Sequence, residues 1–484
     1  MKKRGIILWI VTVCVMTLLS GCFFRTPEDL YQSPERSADY LSLTQTIKDV
    51  KNALAQEYGA EVNDTSVMSG DNTALVQLQD LDGDKVRETA VTFFRIPEAE
   101  KPLKICFFTK TAEDTYQMSA VVEGNGSAIY RVDYVDLDGS GHQEVVVSWQ
   151  MWTGSYLLGA YSIEEAVEQN INRLSTKEVA KAATTPQIQQ EKTLDLKKYR
   201  ATELLSTAYS GYTLCDIDED TRNEIAIARV GVGGTGSVVE IYGYQEGAFV
   251  VESTAPLSTG IESLEKNGVK QNYIGGSVPV RAIYVSSKLQ DGRHVVDVLT
   301  YQDSQFVNVS LGEQGISVEH LDRYVDLEPS DVNADGILEL PVPSVAPSAG
   351  DLTASDFWLI DWYQYTANGG RVKMCTTLHN ISDGWYLIIP ENWKNQIVLR
   401  RNDGTSGQRA VIFYHKDGED EEPFLVVYKF TSQFERATLS NRFELRRESD
   451  AVYAAAFYEI DWDWGMSEVD LQAAFHLIQS DWED

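Results

Sequence analysis

Four stretches of the chain set carboxylates two residues apart and close on a glutamate. They are DLDGDKVRE from Asp80, DLDGSGHQE from Asp136, DIDEDTRNE from Asp216 and DVNADGILE from Asp331. The shared pattern is D-x-[DN]-x-[DS]-x-x-x-E, with Leu81, Leu137, Ile217 or Val332 at position 2. Alternate residues of a tight turn aim their side chains at one centre, so oxygens at positions 1, 3 and 5 converge and the glutamate at position 9 closes the ring. The candidate metal ligands are Asp80, Asp82, Asp84 and Glu88; Asp136, Asp138, Ser140 and Glu144; Asp216, Asp218, Asp220 and Glu224; and Asp331, Asn333, Asp335 and Glu339. Calcium accepts about six to eight such oxygens in flexible geometry, whereas magnesium demands a stricter octahedron. A closed ring of protein oxygens leaves little room for substrate, so the ion expected here is structural. A helical EF-hand would need a glutamate at position 12 and a helix behind it. Position 12 is Val91, Val147, Ile227 and Val342, which are strand residues. Asx-type hydrogen bonds can hold an acidic turn without metal, but four copies at matching places in a repeat favour calcium.

The elements that must carry these loops are short strands. From about Leu75 to Tyr365 the chain alternates apolar runs such as AVTFF, KICFF, EVVVSW, EIAIARV and WLIDWYQY with Gly, Asp and Asn turns, a pattern of antiparallel sheets. Each acidic stretch precedes a strand, a connection and another strand, and position 2 reads as an apolar pin into the core. Such a recurring unit predicts a β-propeller-like repeat domain over 64–370, with a helical insertion about 162–207. The interval before Asp331 has room for two units, one of which has lost its acidic loop. A helix is expected over 38–63, its apolar positions being Leu41, Leu43, Ile47, Val50 and Leu54. A smaller α+β domain is expected over 371–484, with Trp385 and Trp393 in its core.

The four motifs resemble the calcium loops of FG-GAP and VCBS-type β-propeller repeats. That resemblance implies a propeller scaffold, structural Ca2+ and a role outside the cytoplasm. The family's usual glycine at position 6 is present as Gly141 and Gly336 and replaced by Lys85 and Thr221, which puts the loop geometry of those two copies to the test. Fewer carboxylates in the second and fourth copies imply weaker binding there.

The chain opens with Lys2, Lys3 and Arg4, then the apolar run GIILWIVTVCVMTLL, then LSGC ending at Cys22. This is the order of a secretory signal peptide over 1–21, and it resembles the lipobox of bacterial lipoproteins. The resemblance implies that Cys22 carries diacylglyceryl and palmitate-type acyl chains and anchors the protein to the outer face of the bacterial cell membrane, with 22–37 as tether. An uncleaved membrane anchor is the competing reading. The chain has 484 residues, 41 basic and 73 acidic, for a net charge of −32. Nucleic acid, which needs a basic surface, is thereby excluded as partner. Cys106, Cys215 and Cys375 are too few and scattered for a disulfide framework and read as buried thiols.

No H-E-x-x-H and no G-x-S-x-G occurs, and GVGGTG from Gly231 lacks the lysine and helix of a phosphate loop, so it reads as a hairpin turn. Two functions are expected. The first is a surface protein that binds an extracytoplasmic protein or glycan, with Trp149, Trp152 and Tyr156 as candidate ligand contacts. The second is a polysaccharide lyase or hydrolase on the same scaffold.

Overall fold

The computed structural model describes residues 38–111, 115–170, 194–234, 236–321, 327–347, 357–403, 407–431 and 441–478. The expected signal peptide, Cys22 and the tether lie outside the described residues. Among the described residues no helix is long and apolar enough to cross a membrane. The chain is mainly β, in antiparallel sheets, and divides into two compact units.

The smaller unit takes its residues from Met1–Val67, Asp71–Asn125 and Ile163–Thr202. Its helix, Ala38–Tyr58, ends at Gly59, whose φ of +61° is the left-handed cap that terminates helices. Leu43, Ile47, Val50 and Leu54 follow the 3.6-residue period and face a sheet of β1 (Asn63–Asp64), β2 (Val76–Gln79), β3 (Thr89–Arg95), β4 (Leu103–Lys110) and β5 (Tyr116–Gly124). Leu41 departs from the expectation and is exposed, because two residues before Leu43 is the far side of the helix. Inside this unit Lys104 on β4 stands opposite Glu123 on β5, and the two form a buried ion pair. Arg200 Nη2 lies 2.6 Å from the other glutamate oxygen, and the Tyr58 ring lies 5.4 Å from Lys104 Nζ.

Among the described residues the larger unit contains five sheets, built mostly by strands that follow one another in sequence. The first runs β6 (Ala128–Val135), β7 (Glu144–Trp152), β8 (Ser155–Ser162) and β9 (Thr202–Tyr209). The second runs β10 (Gly211–Cys215), β11 (Glu224–Arg229), β12 (Val238–Gln245) and β13 (Ala248–Pro256). The third is β14 (Ile261–Ile274), β15 (Val280–Leu289), β16 (His294–Gln302) and β17 (Gln305–Asn308), with β18 (His320–Leu321) beside β16. The fourth is β19 (Leu340–Val345), β20 (Phe357–Tyr365), β21 (Arg371–Asn380) and β22 (Trp385–Ile389). The fifth orders β23 (Ile397–Asp403), β24 (Gln408–Asp417), β25 (Asp420–Phe430), β27 (Val452–Phe457) and β26 (Phe443–Arg447), while β28 (Phe475–Leu477) joins the fourth sheet at β22.

The apolar runs in these strands have a simple cause. On β11, Ile225 and Ile227 enter a core shared with Val146 and Leu158 of the preceding sheet. Ala226 and Ala228, on the opposite face, enter a core shared with Ile283 and Val285 of the following sheet. Ala282 and Tyr284 of β15 in turn meet Leu340 and Tyr365 of the fourth sheet. A strand covered on both faces buries every residue, so its sequence reads as a continuous apolar run rather than an alternation.

Two boundaries differ from expectation. Residues 202–209 are strand β9 rather than part of a helical insertion; a helix occupies 164–170 and a 3-10 turn Leu196–Lys198, while 171–193 lie outside the described residues. The period of TELLSTAY suits either state, and pairing with β8 decides it. Nor does the chain divide at 371: β21 is hydrogen-bonded to β20 from Tyr365↔Arg371 to Phe357↔Asn380, and the core around Trp385 and Trp393 includes Phe357 and Leu359. Both tryptophans are buried, as expected.

Candidate metal centres

In three copies the acidic stretch joins two consecutive, mutually paired strands of one sheet: β2 to β3, β6 to β7 and β10 to β11. The fourth is bounded by a bridge between Ser330 and Glu339, immediately before β19. The third sheet carries none, since its β14–β15 connection reads GGSVP. It supplies the unit without an acidic loop that the long interval before Asp331 has room for.

One hydrogen-bond scheme recurs. The position-1 carboxylate accepts from the backbone N–H at position 6: Lys85 to Asp80 at 2.7 Å, Gly141 to Asp136 at 2.9 Å, Thr221 to Asp216 at 3.2 Å and Gly336 to Asp331 at 2.8 Å. Position 3 accepts from the N–H of position 5 in every copy, through Asp82, Asp138, Asp218 and Asn333. Position 5 accepts from position 7, through Asp84, Ser140, Asp220 and Asp335. These bonds wind the loop around its own carboxylates. Position 6 has positive φ in all four copies, at Lys85 (73°), Gly141 (90°), Thr221 (79°) and Gly336 (84°). The replacements of glycine therefore keep the loop geometry and carry left-handed strain instead.

Position 2 is the pin that the sequence implied: Leu81, Leu137 and Ile217 are buried, and Val332 packs against Trp358, Ile360 and Trp362. In copies 2, 3 and 4 the backbone N–H of this residue donates to the closing glutamate, at 2.9 Å for Glu144, 2.9 Å for Glu224 and 2.8 Å for Glu339. Those glutamates are buried where the strand begins.

Among the described residues, ligand oxygens converge within 4.8 Å of one another in four groups. They are Asp80, Asp82 and Asp84; Asp136, Asp138 and Glu144; Asp216, Asp218 and Glu224; and Asp331, Asp335 and Glu339. Glu88 is half-buried, one residue ahead of β3, and stays outside the first group. Asp220 stays outside the third because Arg222 holds it, at 2.6 Å from Nη2. Ser140 and the Asn333 side chain brace their loops by hydrogen bonds.

The electrostatics ask for a cation. Burial pushes the Glu144 carboxyl up to about 7 and that of Glu224 up to about 8, with the neighbouring aspartates adding repulsion against the backbone N–H that favours ionisation. Burial also raises Glu339 and Glu88. Oδ1 of Asp216 is buried with no hydrogen-bond donor, an arrangement that is costly unless something positive fills it. Oxygen-only donors of this kind suit a hard divalent ion such as calcium.

Sequence reasoning missed the long-range members. Gln364 Nε2 on β20 donates to Asp335 Oδ2 and Glu339 Oε1, both at 2.7 Å. Arg281 on β15 pairs with Asp216 Oδ2 at 2.9 Å. Asn223 Nδ2 of the third loop donates to the Asp136 carbonyl of the second at 3.2 Å. Only Arg222, two residues from Asp220, left a local signal.

The three candidate ligand aromatics do not share one surface. Trp149 is 1% exposed and donates through Nε1 to the Tyr161 hydroxyl, so it belongs to the core. Trp152 is 67% exposed at the β7–β8 turn. Tyr156 is half-buried between the rings of Tyr130 at 4.8 Å and Tyr209 at 5.7 Å. GVGGTG lies between β11 and β12, the hairpin position expected of it. Cys106 and Cys215 are buried, and Cys375 is partly so. Compared with protein-family models and with curated proteins, the chain matches none.

Proposed function

We propose that this chain is a lipid-anchored extracytoplasmic binding protein whose repeated sheets are propeller blades of the FG-GAP/VCBS type, pinned by calcium. The observation that carries the reading is the repetition of one loop scheme, in which backbone N–H groups of an acidic turn donate to positions 1, 3 and 5 and the turn leads into a strand, with the closing glutamate buried at or just before that strand's first residue in the second, third and fourth copies. Sheets that share cores with the sheet before and the sheet after, in chain order, support the blade assignment. The ion's work is structural: it would neutralise three converging carboxylates and fix the turn that aligns two strands. Asp80, Asp136, Asp216 and Asp331 with their loop partners would hold it.

Cys22 is the lipidation site in this reading, and the partner is an extracytoplasmic protein or glycan. Binding is favoured over polysaccharide cleavage because the carboxylates that converge are spent on building loops. Calcium at about a hundred times its dissociation constant adds about 2.7 kcal/mol of stability per site. The melting temperature of the metal-stripped protein therefore rises with calcium and returns with EDTA; no shift at millimolar calcium removes the metal reading. Glycan-array binding set against release of reducing or unsaturated sugar ends separates binding from cleavage.

A further inference from the structure

We infer that two arginines, Arg222 and Arg281, set the cation affinity of the third loop and make it the weakest of the three loops in the larger unit. The inference rests on the calcium reading above. By charge count this loop should be the strongest of the three, since Asp216, Asp218, Asp220 and Glu224 are all carboxylates.

Geometry reverses that ranking. Arg222 donates from Nη2 at 2.6 Å and Nε at 3.0 Å to Oδ2 of Asp220, and its backbone N–H takes Oδ1 at 2.8 Å. Both oxygens of the position-5 ligand are thus engaged. In the fourth loop the equivalent Asp335 joins the converging group, held by the neutral amide of Gln364. In the second loop position 5 is the neutral Ser140.

Arg281 acts at position 1. It pairs with Asp216 Oδ2 and also donates to the Asp216 carbonyl, leaving Oδ1 as that residue's one unpartnered oxygen. A guanidinium charge a few ångströms from the centre opposes a divalent ion directly.

Arg222 is also held in place. A Cβ added at Gly139 of the second loop would lie 3.2 Å from Arg222 Cδ, so the arginine stem fills the space beside that glycine. Asn223, the next residue, is tied to the Asp136 carbonyl. Turning Arg222 away from Asp220 therefore disturbs the contact with the second loop, and the clamp resists release.

The test uses the full chain with single loops left active. Asp80→Asn, Asp136→Asn and Asp331→Asn together leave only the third; the corresponding sets leave only the second or the fourth. Calcium and terbium are titrated, with terbium luminescence excited through the protein's tyrosines and circular dichroism confirming each fold. The third loop alone binds more weakly than the second or fourth alone. Arg222→Gln and Arg281→Gln each tighten it by about tenfold, the scale of one unit charge close to the ion. Arg222→Lys, which keeps the charge, gives a smaller gain. Unchanged or weaker binding in both glutamine variants, with the ion still bound, overturns the inference alone. Absence of calcium and terbium binding in the unaltered protein overturns the calcium reading and the inference with it.

Discussion

Thr221 and Lys85 hold the position where the other two loops have glycine, with φ of 79° and 73°. Replacing Thr221 by glycine tests whether the loop is already wound in the absence of metal. An L-residue in the left-handed region costs about 1–2 kcal/mol. Glycine removes that strain but returns about 0.5–1 kcal/mol through the greater freedom of the unfolded chain. The net gain is about 0.5–1 kcal/mol, toward the upper end for a β-branched side chain. The backbone N–H that donates to Asp216 at 3.2 Å is retained. Gly141→Thr is the mirror experiment: φ is 90° there and nothing lies within 4 Å of an added Cβ, so only backbone strain is introduced. In EDTA, thermal and urea unfolding should show Thr221→Gly more stable than the parent and Gly141→Thr less stable by about 1 kcal/mol or more. A destabilised Thr221→Gly beside an unaffected Gly141→Thr would refute left-handed winding at position 6.

Glu144 and Glu224 have folded values of about 7 and about 8 against an ordinary 4.5. A carboxyl raised on folding contributes stability that is complete below its ordinary value and lost as pH climbs through the folded one. The metal-stripped protein should therefore melt at falling temperature from about pH 4.5 to about pH 8. Calcium should flatten that slope, and a rising curve in EDTA would contradict the burial argument. In the smaller unit, Glu123→Leu leaves Lys104 buried without its partner and should cost about 3–5 kcal/mol, whereas Lys104→Met with Glu123→Leu should come close to the parent. Equal loss in the single and double variants, read by urea unfolding, would mean the pair is not the source. Cys22→Ala should abolish incorporation of labelled fatty acid, and persistent labelling would remove the anchor from the proposal.

Much of the local chemistry was legible in the residue order. The spacing of Asp80 to Glu88 and its three relatives foretold the turns, the strand after each, and the apolar pin at position 2, since all of these act within nine residues. The helix stripe Leu43–Ile47–Val50–Leu54 was equally local, and only Leu41 fell out of phase. The misplaced features were those in which distant segments compete. TELLSTAY became β9 because β8 offers it a hydrogen-bonding edge, and 371 ceased to be a boundary because β21 pairs with β20 inside one sheet.

The ligand sets divide in the same way. By itself the sequence determined where oxygens are gathered and that the acidic turns are built alike, because backbone hydrogen bonds to positions 1, 3 and 5 involve only near neighbours. Tertiary structure decided which oxygens remain available: Gln364 braces the fourth loop from across its sheet, Arg281 reaches the third from the next sheet, and Trp149 is taken into the core. Charge can be counted along a chain, but the field at a site depends on what folding brings within a few ångströms of it.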